Sequence, residues 1–332
     1  MQALEWHEHV FQRLIANKAT LPHALLLRGP RGIGKLAFAR ALAQALLCEV
    51  PAENGRSCGA CRACAWFETG SHPDYRQIEP ESESTDSADG EKKSNAISVD
   101  QIRALPDFIN LSSHRGESKV VVIHPAEMLN VNAANALLKN LEEPPPRTYF
   151  MLVTHRPHQL LPTIKSRCQH IALGAPDTAA ATAWLTEKGV RRPEVALAHV
   201  GDAPLLALEL DDTEYWGARA AFMRHLTALD IDVWSAGEAV RDFPIPYAIA
   251  WLQKWSYDLV FHRILGTVRY NPDYSEAVSR IASKIDLRAA VRFHREMVKL
   301  QRIANHPLNA RLFIENVLLA YRDLVQPHEL AA

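Results

Sequence analysis

Residues 23–47 constrain this chain more than any other stretch. An apolar run, His23-Ala-Leu-Leu-Leu-Arg28, leads into Gly29-Pro-Arg-Gly-Ile-Gly34-Lys35-Leu36, and an alanine- and leucine-rich segment continues to Leu47. Strand, glycine turn and helix in that order begin an α/β domain with a parallel sheet. Gly29, Gly32 and Gly34 let backbone N–H groups close on phosphate oxygens. The helix N-terminus adds positive potential, and Lys35 reaches the outer phosphates. The match to G-x-x-x-x-G-K holds at every position and fails at the next, where Leu36 stands in place of the hydroxyl that holds Mg²⁺. A phosphate loop is expected; hydrolysis is not.

The second half of an ATPase site belongs at the end of the β-branched run Lys119-Val-Val-Val-Ile-His124. Enzymes with this loop place an Asp there to hold the metal. Here the run ends in His124-Pro125, and the nearest acid, Glu127, is expected to be turned elsewhere. His124 itself reads as a strand-end residue with a hydrated tip. Other strands are expected at Arg76–Ile78 and Tyr149–Thr154, with a last one entered through Ser166–Ile171. Short helices are expected over residues 5–20, from Ile97 and over Asn132–Glu143, the last stopped by Pro144-Pro-Pro146. About five strands separated by helices make a doubly wound parallel layer. From residue 177 onward the pattern is helical, with stripes at Ala290, Phe293, Met297, Leu300 and Ala304 and at Phe313, Val317, Ala320 and Leu324. The polar run from Pro80 to Asn95 reads as a solvated loop.

Four of the five cysteines, Cys48, Cys58, Cys61 and Cys64, fall within 17 residues; Cys168 stands alone. Four thiolates in that spacing suit one tetrahedral Zn²⁺ with no open position, hence a structural ion. An odd count without an export signal argues against a disulfide framework. The first residues lack a basic and apolar leader, and no segment approaches the ~18 uninterrupted apolar residues of a membrane span, so a cytoplasmic protein is expected. Lys+Arg total 37 against 38 Asp+Glu, a net charge of −1, which lacks the basic surplus of a chain that grips nucleic acid alone.

Several motifs together resemble the AAA+ module of bacterial clamp-loader subunits. They are Lys119–Ile123, the Ala133–Pro145 run ending Leu-Glu-Glu-Pro-Pro, Ser166-Arg-Cys168, the cysteine cluster, His72-Pro-Asp74 and Ile97–Arg103. Asn309–Glu315 resembles, more loosely, the opening of the last collar helix. The resemblance implies a P-loop AAA+ parallel-sheet domain over 1–174 with an inserted zinc module (48–64), a small helical lid over 175–212 and a helical collar for oligomerisation over 213–332. It further implies a non-catalytic structural member of the DNA polymerase III clamp loader. The implied partners are the gamma/tau and delta subunits, with primed DNA and the sliding clamp reached through the assembled complex. Gamma-like motors carry a Gly-x-x-Arg segment that senses nucleotide; here Gly201-Asp-Ala-Pro204 has proline instead of the arginine. The sensor after the fourth strand falls on Thr154 or His155. In the family, the Ser-Arg-Cys arginine points into a neighbour's ATP site, which assigns Arg167 the part of an arginine finger in trans. Two other readings stand beside this one: an active gamma/tau-type ATPase, which Lys35 favours and Leu36, His124 and Pro125 oppose, and a zinc-containing DNA-binding protein, which the neutral charge opposes.

Overall fold

The structure, a computed structural model, describes residues 5–81, 95–111, 118–228, 230–304 and 309–326. Most of the polar run expected as a solvated loop, residues 82–94, lies outside these. The chain divides into two compact units, Met1–Asp177 and Thr178–Ala332.

Unit one is built on five parallel strands: β1 (Ala24–Arg28), β2 (Tyr75–Ile78), β3 (Lys119–Ile123), β4 (Thr148–Thr154) and β5 (Gln169–Ala172), in the order β2-β3-β4-β1-β5. The expected five-stranded parallel layer, followed by helices, is the one observed. Burial follows position in the sheet. β3 is buried at every residue, as its unbroken apolar run requires, whereas edge strand β5 buries only Ile171. Register is fixed where Lys119 meets Thr148 and Ala24 meets Phe150. One polar pair sits inside this layer: Lys119 Nζ donates to Asp74 Oδ1 at 3.0 Å, both almost wholly buried, tying the base of β3 to the residue that opens β2. Because β1 lies between β4 and β5, the loop after it opens at the point where strand order reverses, where open sheets bind ligands.

The segment expected as one helix over 5–20 is broken into a 3₁₀ turn (Glu5–His7), an α-helix (Glu8–Ala16) and a second 3₁₀ turn (Lys18–Thr20). The helix Val99–Arg103 starts on a capping box: Ser98 Oγ accepts from Gln101 N–H, and Gln101 Oε1 accepts from Ser98 N–H. Asn130 caps Val131–Glu142 by one bond only, its Oδ1 accepting the Ala133 N–H at 2.8 Å.

Unit two is helical throughout. Three helices, Thr178–Glu187, Pro193–His199 and Pro204–Glu209, gather around Ala181, Leu185 and Leu197. A larger core around Trp251, Trp255, Phe222 and Tyr321 joins Thr213–Leu226, Ile245–Leu265, Leu287–Ile303 and Ala310–Val325. In the last helix the inward stripe differs from expectation. Ile314, Val317, Leu318, Tyr321 and Leu324 are buried, while Ala320 is exposed and Phe313 half-buried. Tyr321 decides the rotation, since its hydroxyl donates to the Leu226 carbonyl and accepts from Trp255 Nε1, and no alanine can replace that anchor.

Candidate functional site

The phosphate loop forms as its glycines demand. Gly32 (φ 78°) and Gly34 (φ 94°) take left-handed backbone, and Gly34 caps the helix Lys35–Leu47. At Gly29 a Cβ would meet the Leu173 carbonyl oxygen at 2.1 Å, so only glycine lets the loop pass β5. Lys35 is 2% exposed. Its Nζ donates to the carbonyls of Gly29, at 2.8 Å, and of Pro30. Burial pulls this ammonium down to about 8, and the carboxylate of Glu127 opposes the shift. Trp6 closes the loop from outside, its indole N–H donating to the Ile33 carbonyl at 3.0 Å. His7 bonds the Gly174 carbonyl at 3.1 Å.

Glu127 is therefore not turned away, as the sequence suggests. It lies in the 3₁₀ turn Ala126–Met128, and its carboxylate accepts the His155 N–H at 3.0 and 3.3 Å, at the end of β4. From there its field reaches Lys35. No signal in the spacing identifies this acid. His124, too, departs from expectation. Its side chain is 15% exposed, its ring packs edge-on against His155 at 5.3 Å, and its Nδ1 stands 3.7 Å from Glu79 Oε1. Of the two sensor candidates, Thr154 is fully buried with its hydroxyl accepting the Arg156 N–H. His155 is the one in the field of Lys35, and burial followed by that cation takes its imidazole down to about 4. It is thus a neutral ring at physiological pH.

Arg167 stands in the turn between Pro162–Lys165 and β5. Its Nε donates to Glu142 Oε1 at 2.7 Å, its Nη2 contacts the same oxygen, and its Nη1 donates to the Thr163 carbonyl at 3.0 Å. The guanidinium is about one-third exposed. It thus pairs with a carboxylate of its own chain.

The four clustered cysteines converge. Their sulfurs all lie within 4.8 Å of one another, the only such group of three or more His, Cys, Asp or Glu ligand atoms among the described residues. Cys48 Sγ is 3.6, 3.9 and 3.7 Å from those of Cys58, Cys61 and Cys64. Zn–S bonds of about 2.3 Å give a tetrahedron with edges of about 3.8 Å, which the three distances from Cys48 match. Backbone N–H groups already point at the sulfurs: Cys58 N–H at Cys48, Ala60 and Cys61 N–H at Cys58, and Cys64 N–H at Cys61. Those of Ala60 and Cys61 bring the Cys58 thiol down to about 6, whereas burial raises Cys48 and Cys64. A divalent cation reverses that penalty by holding the thiolates. Cys168 packs against the sheet's core instead, where burial pushes it up to about 11.

The sequence model of the family described as DNA polymerase III, delta subunit matches residues 6–177. The chain is 37% identical over 295 residues to DNA polymerase III subunit delta' of Pseudomonas aeruginosa, covering 87% of this chain and 83% of that protein. It is 30% identical over 336 residues to the delta' subunit of Escherichia coli, covering 98% and 97%. The chain belongs to the DNA polymerase III delta' family. Among solved structures it is similar to a gamma subunit-related protein of Thermotoga maritima, at 20% identity and a TM-score of 0.45, covering 96% of this chain and 100% of that one. In this delta' chain the degenerate loop, Arg167 and the cysteine cluster all lie within the residues that the family model matches. No helix among the described residues is long and apolar enough to cross a membrane.

Proposed function

We propose that this delta' chain is a stationary, non-hydrolysing member of the clamp loader that helps place the sliding clamp on primed DNA. The observation that carries the reading is the mismatch within one site: a well-formed phosphate loop with a buried Lys35, beside Leu36 and His124 where a hydroxyl and an acid must hold Mg²⁺. Loop amides and Lys35 can still take up phosphate oxygens. Nothing polarises water against them, because Glu127 is occupied with the His155 amide. Neutral His155 cannot add positive charge to a transition state.

In this reading Arg167 serves a neighbouring gamma/tau subunit. A guanidinium suits the task, being always charged and able to grip phosphate oxygens as a planar fork. The ion pair with Glu142 holds it until an ATP phosphate competes for it. Cys48, Cys58, Cys61 and Cys64 hold a structural Zn²⁺. The helical unit comprises a lid (175–212) and a collar (213–332) that joins gamma/tau and delta subunits, and the whole works in the cytoplasm.

The test is ATP turnover by the purified chain with Mg²⁺. No phosphate release above background is expected, whatever the binding. Turnover at the rate of an ordinary motor subunit, abolished by Lys35→Ala, overturns the reading in favour of an active gamma/tau-type ATPase.

A further inference from the structure

We propose that the helical unit carries a second phosphate site, independent of the P-loop: a pocket built around the amine of Lys254 that takes a compact phosphate oxyanion. The pocket, of about 340 Å³, is lined by Gln253, Lys254, Tyr257, Arg269, Tyr270 and His294.

The argument begins with a proton count. Trp251 Nε1 donates to the Tyr215 hydroxyl at 2.8 Å, and that oxygen lies 2.8 Å from His199 Nε2. If that nitrogen carries no proton, its single in-plane lone pair is contested between Tyr215 and any other donor; if it carries one, it accepts from neither. Lys254 Nζ nevertheless has His199 Nε2, at 3.3 Å, as its one described contact. It is left without an acceptor of its own. Nor is there a carboxylate for it among the described residues. Asp258, one helical turn along, accepts the backbone N–H groups of Arg269 at 2.9 Å, Tyr270 at 3.1 Å and Asn271 at 2.8 Å, together with the Asn271 side-chain amide at 2.7 Å. Asp273 is gripped twice by Arg219, at 2.8 and 3.1 Å. Asp202 pairs with Arg269 at 3.1 Å. Every nearby acid is committed, and the nearby cation, Arg219, adds to burial in pulling the Lys254 ammonium down to about 7. A half-buried ammonium so placed is disfavoured unless something supplies negative charge. The pocket is where it enters.

Shape and aromatic contacts narrow the ligand. Tyr257 stacks on Phe261 at 5.3 Å and meets the edges of Tyr270 and His294 at 5.2 and 5.8 Å. The Arg269 guanidinium lies over Tyr270 at 5.6 Å. These rings are engaged with one another and with a guanidinium, and the side chains left to bind are cationic donors, so the ligand of this proposal is a phosphate group and not a nucleobase. Lys254 from the wall, Gln253 beside it and Arg269 from the rim provide the donors. Such a group comes either free, as phosphate or pyrophosphate, or as the terminal phosphate of a nucleic-acid strand.

The test is calorimetric titration of the full chain with inorganic pyrophosphate at fixed ionic strength, in a Lys35→Met background that silences the P-loop. One site is expected to remain, and adding Lys254→Met should weaken it by about tenfold or more, the worth of one charge-assisted bond. The second substitution removes a cation without an acceptor, so the chain should fold and melt no lower than its parent. Arg269→Ala, at the exposed rim, should weaken binding severalfold without touching the interior. A strand with a 5′-phosphate that competes with pyrophosphate, where the unphosphorylated strand does not, assigns the site to nucleic-acid ends; failure of both to compete assigns it to the free anion. Loss of all binding with Lys35→Met alone, or binding that neither Lys254→Met nor Arg269→Ala weakens, overturns the proposal.

Discussion

Burial lowers the Lys35 ammonium from 10.5 to about 8, with Glu127 opposing the shift. The sign of the consequence follows from proton counts. Below about pH 8 the folded and unfolded chains both hold this proton, and stability is independent of it. Between about 8 and 10.5 only the unfolded chain still does, so raising the pH favours the fold. Relative to Lys35→Met, the parent chain is expected to gain thermal stability from pH 8 to 10, and to run parallel to it from pH 6 to 7.5. A parent chain that gains nothing relative to the variant, or loses ground, across the alkaline range contradicts the assignment; paired melting curves decide. The lysine and its glycines were legible because a G-x-x-x-x-G-K match between an apolar run and a helical one has few folded solutions. Glu127 was not. Its direction is set by a 3₁₀ turn held from elsewhere, where Ile97 N–H donates to the Met128 carbonyl at 2.7 Å and Asn130 N–H returns to the Ile97 carbonyl. A residue some thirty positions upstream aims this acid, and no local pattern reports it.

At the scale of elements, the cysteine segment behaves as one unit. Cys48 ends the helix that begins at Lys35, and Cys61 caps the helix Arg62–Glu68 with Cys64 inside it. A metal there would fasten the far end of the phosphate-loop helix to the next one. Zinc content should be one per chain by atomic emission. Cys61→Ser is expected to weaken zinc by more than roughly 100-fold and to lower the melting temperature of unit one, since ligation and folding share one free energy. Cys168→Ser should leave zinc content unchanged. Full zinc in the Cys61 variant, or protein prepared without chelator that carries none, contradicts the site. The strands read well from their β-branched runs, as β3 shows. The final helix was read rightly at Val317 and Leu324 and missed at Ala320, because a spacing of three and four admits neighbouring stripes. Ala320 and Tyr321 differ in what they can anchor, and that is a tertiary fact.

For the molecule as a whole, the charge balance and the two compact units suit a part that works inside an assembly. Arg167→Ala should leave folding, zinc and assembly intact, because its bond to Glu142 is a half-exposed pair worth little to stability. In the assembled complex it should slow ATP hydrolysis at one neighbouring site by on the order of 10³-fold, the lower range for arginines supplied in trans. On the proposed role, total turnover should fall less than clamp loading, because only one site is served by this residue. A variant complex that hydrolyses ATP and loads clamps at the parent rate rules the role out. The bond from Trp6 to the Ile33 carbonyl has a consequence of another kind. An indole whose N–H is fixed to the phosphate loop emits at a wavelength that depends on that bond, so the chain carries its own optical label at the one place where occupancy is in question. The other six tryptophans contribute a background that the difference between the parent and a Trp6→Phe chain removes. The state of the loop can thereby be followed inside the full complex, with no dye attached and no turnover required.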